Sequence, residues 1–161
     1  MHPRIEILQE KKLIGQKLKM SLLNNRTYVL WSSFMPRRKE IINNVSTGLF
    51  SMQVYNGELD FNNYDYKMEF DKWAAVEVED FNSIPFGMDS YIIKGGLYAV
   101  FNYIGLASEG EKTFQYIFTK WLPASEYLLD DREHFEILGA KYKNNDPDSE
   151  EEIWIPIKRK Q

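Results

Sequence analysis

The sequence predicts an α+β fold: a duplicated ββαββ-type repeat in which a curved antiparallel sheet carries two helices around a pseudo-twofold axis. The first observation behind this is a pair of helical segments, Leu30-Trp31-Ser32-Ser33-Phe34-Met35-Pro36 and Ile117-Phe118-Thr119-Lys120-Trp121-Leu122-Pro123, alike in character at each position. The second is their surroundings, strand-like runs before and after each helix in the same order, with glycines in similar places. A half of this size cannot bury both its helix face and its sheet face. The halves are therefore expected to pair and to leave a central groove where they meet. Repeat one spans about residues 4–80 and repeat two about 88–158, within one domain of residues 1–161.

In repeat one, Arg4 to Leu8 reads as a short edge segment and Leu13 to Leu22 as a strand. Asn24-Asn25 offers an N-cap to a helix whose apolar face is Thr27, Leu30, Trp31 and Phe34, at helical spacing, and Pro36 stops or kinks it. Leu49 to Tyr55 is a strand that ends at the turn signal Asn56-Gly57. The polar-aromatic stretch Glu58 to Asp71 has no clear period. Trp73 to Glu79 alternates, with Trp73, Ala75 and Glu77 on one face and Ala74, Val76 and Val78 on the other.

In repeat two, Gly95-Gly96 separates the strand runs Tyr91 to Lys94 and Leu97 to Tyr103, marking a bulge or a close approach by another backbone. A helix over Glu111 to Leu122 turns Phe114, Ile117, Phe118 and Trp121 to one side and ends at Pro123. Strands His134 to Leu138 and Ile153 to Ile157 follow, with an acidic loop at 146–152 between them.

Composition excludes several function classes. A hydrophobic share of 43% with 15% aromatics rules out a disordered chain. A net charge of −4 argues against nucleic-acid binding, which needs a basic face to displace counterions. Residues 1–12 cannot hold a helix-turn-helix, so direct DNA contact is not expected. The lack of cysteine removes thiol catalysis, disulfides and thiolate metal sites together, and fits a reducing compartment. With no secretory pattern and no apolar run of membrane-spanning length, a cytoplasmic protein without membrane partners is expected. His2 and His134 make no metal spacing with a carboxylate, and no phosphate-cradling glycine loop is present, so no metal and no cofactor are expected.

Glu136 stands out among the chemistry-bearing residues. Alternation puts His134, Glu136 and Leu138 on one strand face, with Phe135 and Ile137 on the other. If Phe135 and Ile137 lie under the helices, Glu136 faces away from them, either to solvent or into the groove. A carboxylate among aromatics can bind a cation or act as a general acid or base. Trp73, Tyr98, Phe101, Trp121 and Trp154 are candidates for an aromatic lining, with Trp31 on the other helix; core packing is the competing role for each. If the isoleucines beside Trp154 face the helices, Trp154 shares the face of Glu136. Glu77, on the face of Trp73, is a candidate second acid.

From about Trp73 to Ile157 the chain resembles the GyrI-like small-molecule-binding domain, the effector-binding domain of AraC-type and MerR-type regulators. The matching motifs are Ala75-Val76-Glu77-Val78-Glu79, Lys94-Gly95-Gly96-Leu97-Tyr98-Ala99-Val100-Phe101 and Trp121-Leu122-Pro123-Ala124-Ser125-Glu126-Tyr127. Phe135-Glu136 and Glu152-Ile153-Trp154-Ile155-Pro156-Ile157 complete them, in the family's order and spacing. Leu138 departs from the aromatic residue common after the Phe-Glu position. The resemblance implies a stand-alone binder of a small hydrophobic, cationic organic ligand held between the repeats, with Glu136 as the recognising carboxylate. It also implies two alternatives: a hydrolase of cyclopropane-bearing or similar reactive compounds, in which Glu136 is catalytic, and an interaction module with an unidentified protein partner.

Overall fold

The computed structural model describes residues 1–61 and 63–161. Repeat one supplies β1 (Arg4–Leu8), β2 (Lys11–Met20), α1 (Thr27–Phe34), β3 (Leu49–Tyr55) and β4 (Phe70–Val78). Repeat two supplies β5 (Asp89–Ile93), β6 (Gly96–Ile104), α2 (Glu111–Tyr116), β7 (Tyr127–Leu129), β8 (His134–Leu138) and β9 (Glu150–Arg159). The antiparallel sheet runs β1-β6-β9-β8-β3-β4-β2-β5, and β7 pairs with the end of β9.

Taken inward from its two edges, this order is symmetric: β1 corresponds to β5, β6 to β2, β9 to β4 and β8 to β3. The first strand of each repeat is exchanged, since β1 pairs with β6 and β5 with β2. That exchange explains the first of the paired glycines; a Cβ at the second, Gly96, would instead meet the Arg132 guanidinium at 2.7 Å. At Gly95 the chain turns from β5 into β6 with φ at +92°, and an added Cβ would sit 2.3 Å from the Leu8 carbonyl oxygen. The close backbone approach expected from Gly95-Gly96 is therefore made by β1 of the other repeat. At the centre, β3 and β8 pair with Ser51 opposite Glu136, and the pseudo-twofold axis passes through that pair.

Both helices lie on one face of the sheet. The N-cap of α1 is Arg26, without a side-chain cap, and not the expected Asn24-Asn25. Asn25 instead accepts the Thr27 backbone N–H at 3.0 Å in an Asx turn, and Leu30 and Phe34 of α1 pack on Ile14, Ala74 and Val76. After Phe34 the chain tightens into a 3-10 segment, Met35–Glu40, with Pro36 in its first turn. In repeat two the single expected helix is interrupted: α2 passes at Ile117–Trp121 into a π turn, and one further turn, Leu122–Ala124, contains Pro123. The wider π turn lets the adjacent Ile117 and Phe118 both reach Phe101, Ile153 and Ile155 on the sheet.

The helix-free face is as deeply buried as the other. Phe50, Met52, Trp73, Tyr98, Val100, Phe135 and Trp154 form one cluster there, covered by the curvature of the sheet itself. Phe135 stacks on Trp154 at 5.3 Å, and Tyr98 meets Phe135 at 5.3 Å. Each such ring adds about 1.5–3 kcal/mol of burial, so this face anchors the sheet as firmly as the helices do.

Candidate functional site

The two helices stand apart over the centre of the sheet and leave a cleft of about 450 Å³. Thr27 and Trp31 of α1, with Met35 just beyond it, form one wall; Gly110, Glu111 and Phe114 at the start of α2 form the other. The floor is Leu49 and Ser51 of β3, Lys72 of β4, Glu136 and Leu138 of β8, and Glu151 of β9, with Tyr142 and Asn144 at one end. The cleft therefore spans both repeats and is centred on the pair where they meet.

Of the residues singled out from sequence, Glu136 and Trp31 line this cleft. Of the two conditions on the helix side, the isoleucines beside Trp154 do lie under the helices, and Phe135 and Ile137 do not. Cross-strand register pairs Glu136 with Ile153 and Phe135 with Trp154, and Ile153 and Ile155 lie under α2. Glu136 thus shares the helix face, while Phe135 and Trp154 lie on the helix-free face. Trp73, Tyr98 and Trp154 are 3%, 0% and 5% exposed in that second core and do not reach the cleft. Phe101 is buried under α2, where Trp121 meets it edge-on at 5.2 Å. Glu77 points to the far face and pairs with Lys11 at 3.2 Å. Alternation identifies which residues share a face; it does not say which face the helices cover, or that curvature buries the other.

Two floor residues were not anticipated, Lys72 and Glu151. They occupy equivalent places in the two repeats: Lys72 lies three residues before Ala75, which pairs with Phe50, and Glu151 three before Trp154, which pairs with Phe135. One position on either side of the pseudo-twofold axis thus carries a cation in repeat one and an acid in repeat two. The Lys72 side chain is buried, at 8% exposure, and among the described residues it makes no hydrogen bond or ion pair. Burial holds its ammonium below the usual lysine range, against the opposing pull of Glu136 and Glu151.

Glu151 is shifted the other way. Burial pushes its carboxyl up to about 8; the charge of Glu136 and a hydrogen bond with Glu136 push in the same direction, and Lys72 pulls back. Tyr142 faces the same two acids, and burial followed by their charges raises its hydroxyl. At neutral pH the Glu151 carboxyl therefore keeps its proton. Because the folded pKa of Glu151 lies above its unfolded value, this group's stabilisation is complete below about 4.5 and is lost as pH rises through about 8. Discounted for partial exposure, the loss is roughly 2 kcal/mol, so Glu151→Gln should gain that much over wild type at pH 9 and little at pH 4. Urea unfolding at the two pH values reads it. An equal change at both would remove the raised carboxyl.

His134 completes the polar residues on this face of β8. It is buried between the Tyr55 and Phe118 rings, and burial, helped by the Arg132 charge, lowers it to about 3, so it is neutral. Among the described residues no group of His, Asp and Glu is arranged to hold a metal ion, and no helix is long and apolar enough to cross a membrane.

The fold recurs in known proteins. The model of the GyrI-like small molecule binding domain matches residues 1–158. This chain belongs to that family. No curated protein matches this GyrI-like chain. Among solved structures, the EcmrR C-terminal domain superposes with a TM-score of 0.74 at 14% identity, over 99% of this chain and 98% of that one. SAV2435 bound to tetraphenylphosphonium does so at 0.68 and 15%, over 98% and 94%. A hydrolase encoded by lin2189 from Listeria innocua gives 0.62 and 13%, over 98% and 92%. At these identities the likeness is one of fold. The GyrI-like assignment itself makes this a small-molecule-binding domain.

Proposed function

We propose that the cleft between α1 and α2 holds the ligand, an organic molecule with an apolar body and a positively charged group, and that the protein senses or sequesters it. What carries this is the Glu136–Glu151 pair on the floor, beside Leu138, of a cleft whose walls include Trp31, Met35 and Phe114. Aromatic and aliphatic walls take up the apolar body, and a carboxylate desolvated between them meets a cation in a medium where the attraction is strong. The tetraphenylphosphonium in the SAV2435 structure, a lipophilic cation on the same fold, supports this class of ligand.

Trp31 is the tryptophan that lines the cleft, so its fluorescence reports occupancy. An amine-bearing aromatic probe should quench it, and Glu136→Gln should weaken that binding by about tenfold or more, one charge-assisted contact. Quenching that persists in Trp31→Phe, or unchanged affinity in Glu136→Gln, would place the ligand elsewhere.

A second activity has its own supporting observation. A carboxyl that keeps its proton at neutral pH, Glu151, beside a second acidic side chain, Glu136, offers the proton donor that hydrolysis of a reactive small molecule needs. Turnover separates the two: several equivalents of ring-opened product from a cyclopropane-bearing electrophile identify a hydrolase, and stoichiometric protection identifies a binder.

A further inference from the structure

We propose that Lys72 makes the cleft selective for zwitterionic ligands, molecules carrying an ammonium at one end and a carboxylate at the other, over simple lipophilic cations. This rests on the cleft being the ligand site. The geometry behind it is the charge asymmetry across the pseudo-twofold axis. Repeat two contributes Glu136 and Glu151; repeat one contributes Ser51 and Lys72 at the equivalent places. A cation is thus built into the floor beside the acids.

Lys72 is more than nine-tenths buried, lines the cleft, and has no hydrogen-bond or ion-pair partner among the described residues. The Nζ of this mostly buried side chain has the cleft as its remaining open side, and a ligand acceptor there, best of all an anionic one, would complete it. Glu136 and Glu151 sense Lys72 through charge alone, so both halves of the charge pattern are left for a ligand to complete. The floor thus sets one lysine, Lys72, beside two acids, Glu136 and Glu151. A ligand with separated charges offers a partner to the lysine and to the acids at once. A bare monocation leaves Lys72 unpaired and adds a second positive charge beside it, which is repulsive in a low-dielectric cleft.

Three biphenyls test this: one with an aminomethyl group, one with a carboxylate, and one with both at opposite ends. Each is titrated against wild-type protein, Lys72→Met and Lys72→Gln, with tetraphenylphosphonium as a fourth probe, by calorimetry. Wild type should bind the doubly substituted biphenyl about tenfold tighter than either singly charged one, the factor of one charge-assisted contact. Both lysine variants should lose that preference and bind the aminomethyl probe and tetraphenylphosphonium about tenfold tighter than wild type does. Thermal melts confirm folding, and either variant alone suffices. If wild type prefers the lipophilic cations and the variants leave that unchanged, the role of Lys72 is overturned while the cleft stands. If no probe binds any of the proteins, the ligand site itself falls, and this inference with it.

Discussion

Gly15→Val is expected to leave the protein largely unfolded, a loss above about 4 kcal/mol. Gly15 lies mid-strand in β2, paired with Ala75 of β4 on one side and Asp89 of β5 on the other. A Cβ at this position would stand 2.1 Å from the Ala74 carbonyl oxygen and 2.6 Å from the Ala75 Cα. Both are backbone atoms held in the ladder, so no side-chain movement relieves the clash. β2 must move off β4, and with it the partner strand β5 that repeat two contributes. Circular dichroism and urea unfolding of the variant check this. A variant within about 1 kcal/mol of wild type would mean that β2 and β4 can separate freely.

Arg132→Met is expected to cost about 3 kcal/mol, and Arg132→Lys most of the same. The Arg132 guanidinium donates to the carbonyls of Gly95 at 3.2 Å, Leu97 at 2.5 Å and Ile157 at 3.1 Å, and pairs with the Asp130 carboxylate at 2.7 Å. It also lies over the Tyr98 ring at 4.7 Å. Removing it leaves three inward-facing carbonyls without their donor, at the place where β5, β6 and β9 converge before β8 begins. A lysine can reach one or two of them but has no planar fork. Since β8 carries Glu136, Arg132→Met should also weaken ligand binding at a distance from the cleft. A fully stable Arg132→Lys protein would show that the fork geometry is unimportant.

Several elements were legible in the chain itself. The strands Leu49–Tyr55 and His134–Leu138 fall where they were expected, because each is an apolar run bounded by glycine or polar turn residues. The strand β7, Tyr127–Leu129, was not expected: three residues are too few for a period, and its pairing with β9 is a tertiary contact. Pro123 was expected to end its helix, yet the preceding π turn carries the chain through it.

The candidate site was half legible. Glu136 could be singled out as a charge within an apolar strand, and Trp31 as an aromatic on a helix face. Lys72 and Glu151 carried a readable signal as well: alternation puts Lys72 on the face of Ala74 and Val76, and Glu151 on the face of Ile153 and Ile155. A charged residue in phase with a buried stripe is the anomaly to look for. The expected aromatic lining failed for a physical reason. Trp73, Tyr98 and Trp154 are large, apolar and in phase with one another, which suits a pocket and a core equally well. Only the curvature that closes the sheet over them makes them core.

By itself, then, the sequence determined the α+β class, the duplication, the helix faces and the presence of Glu136 on a central strand, because these depend on local periodicity and on two segments alike in character. The tertiary structure alone decided three things: that the edge strands are exchanged, that both helices share the face of Glu136, and that Lys72 and Glu151 flank it. Each depends on which strands pair and which way the sheet bends, and no local pattern encodes that. The duplication is what joins the two levels: like segments build like walls, and unlike residues at equivalent places, a lysine and a glutamate, give the cleft between them its direction.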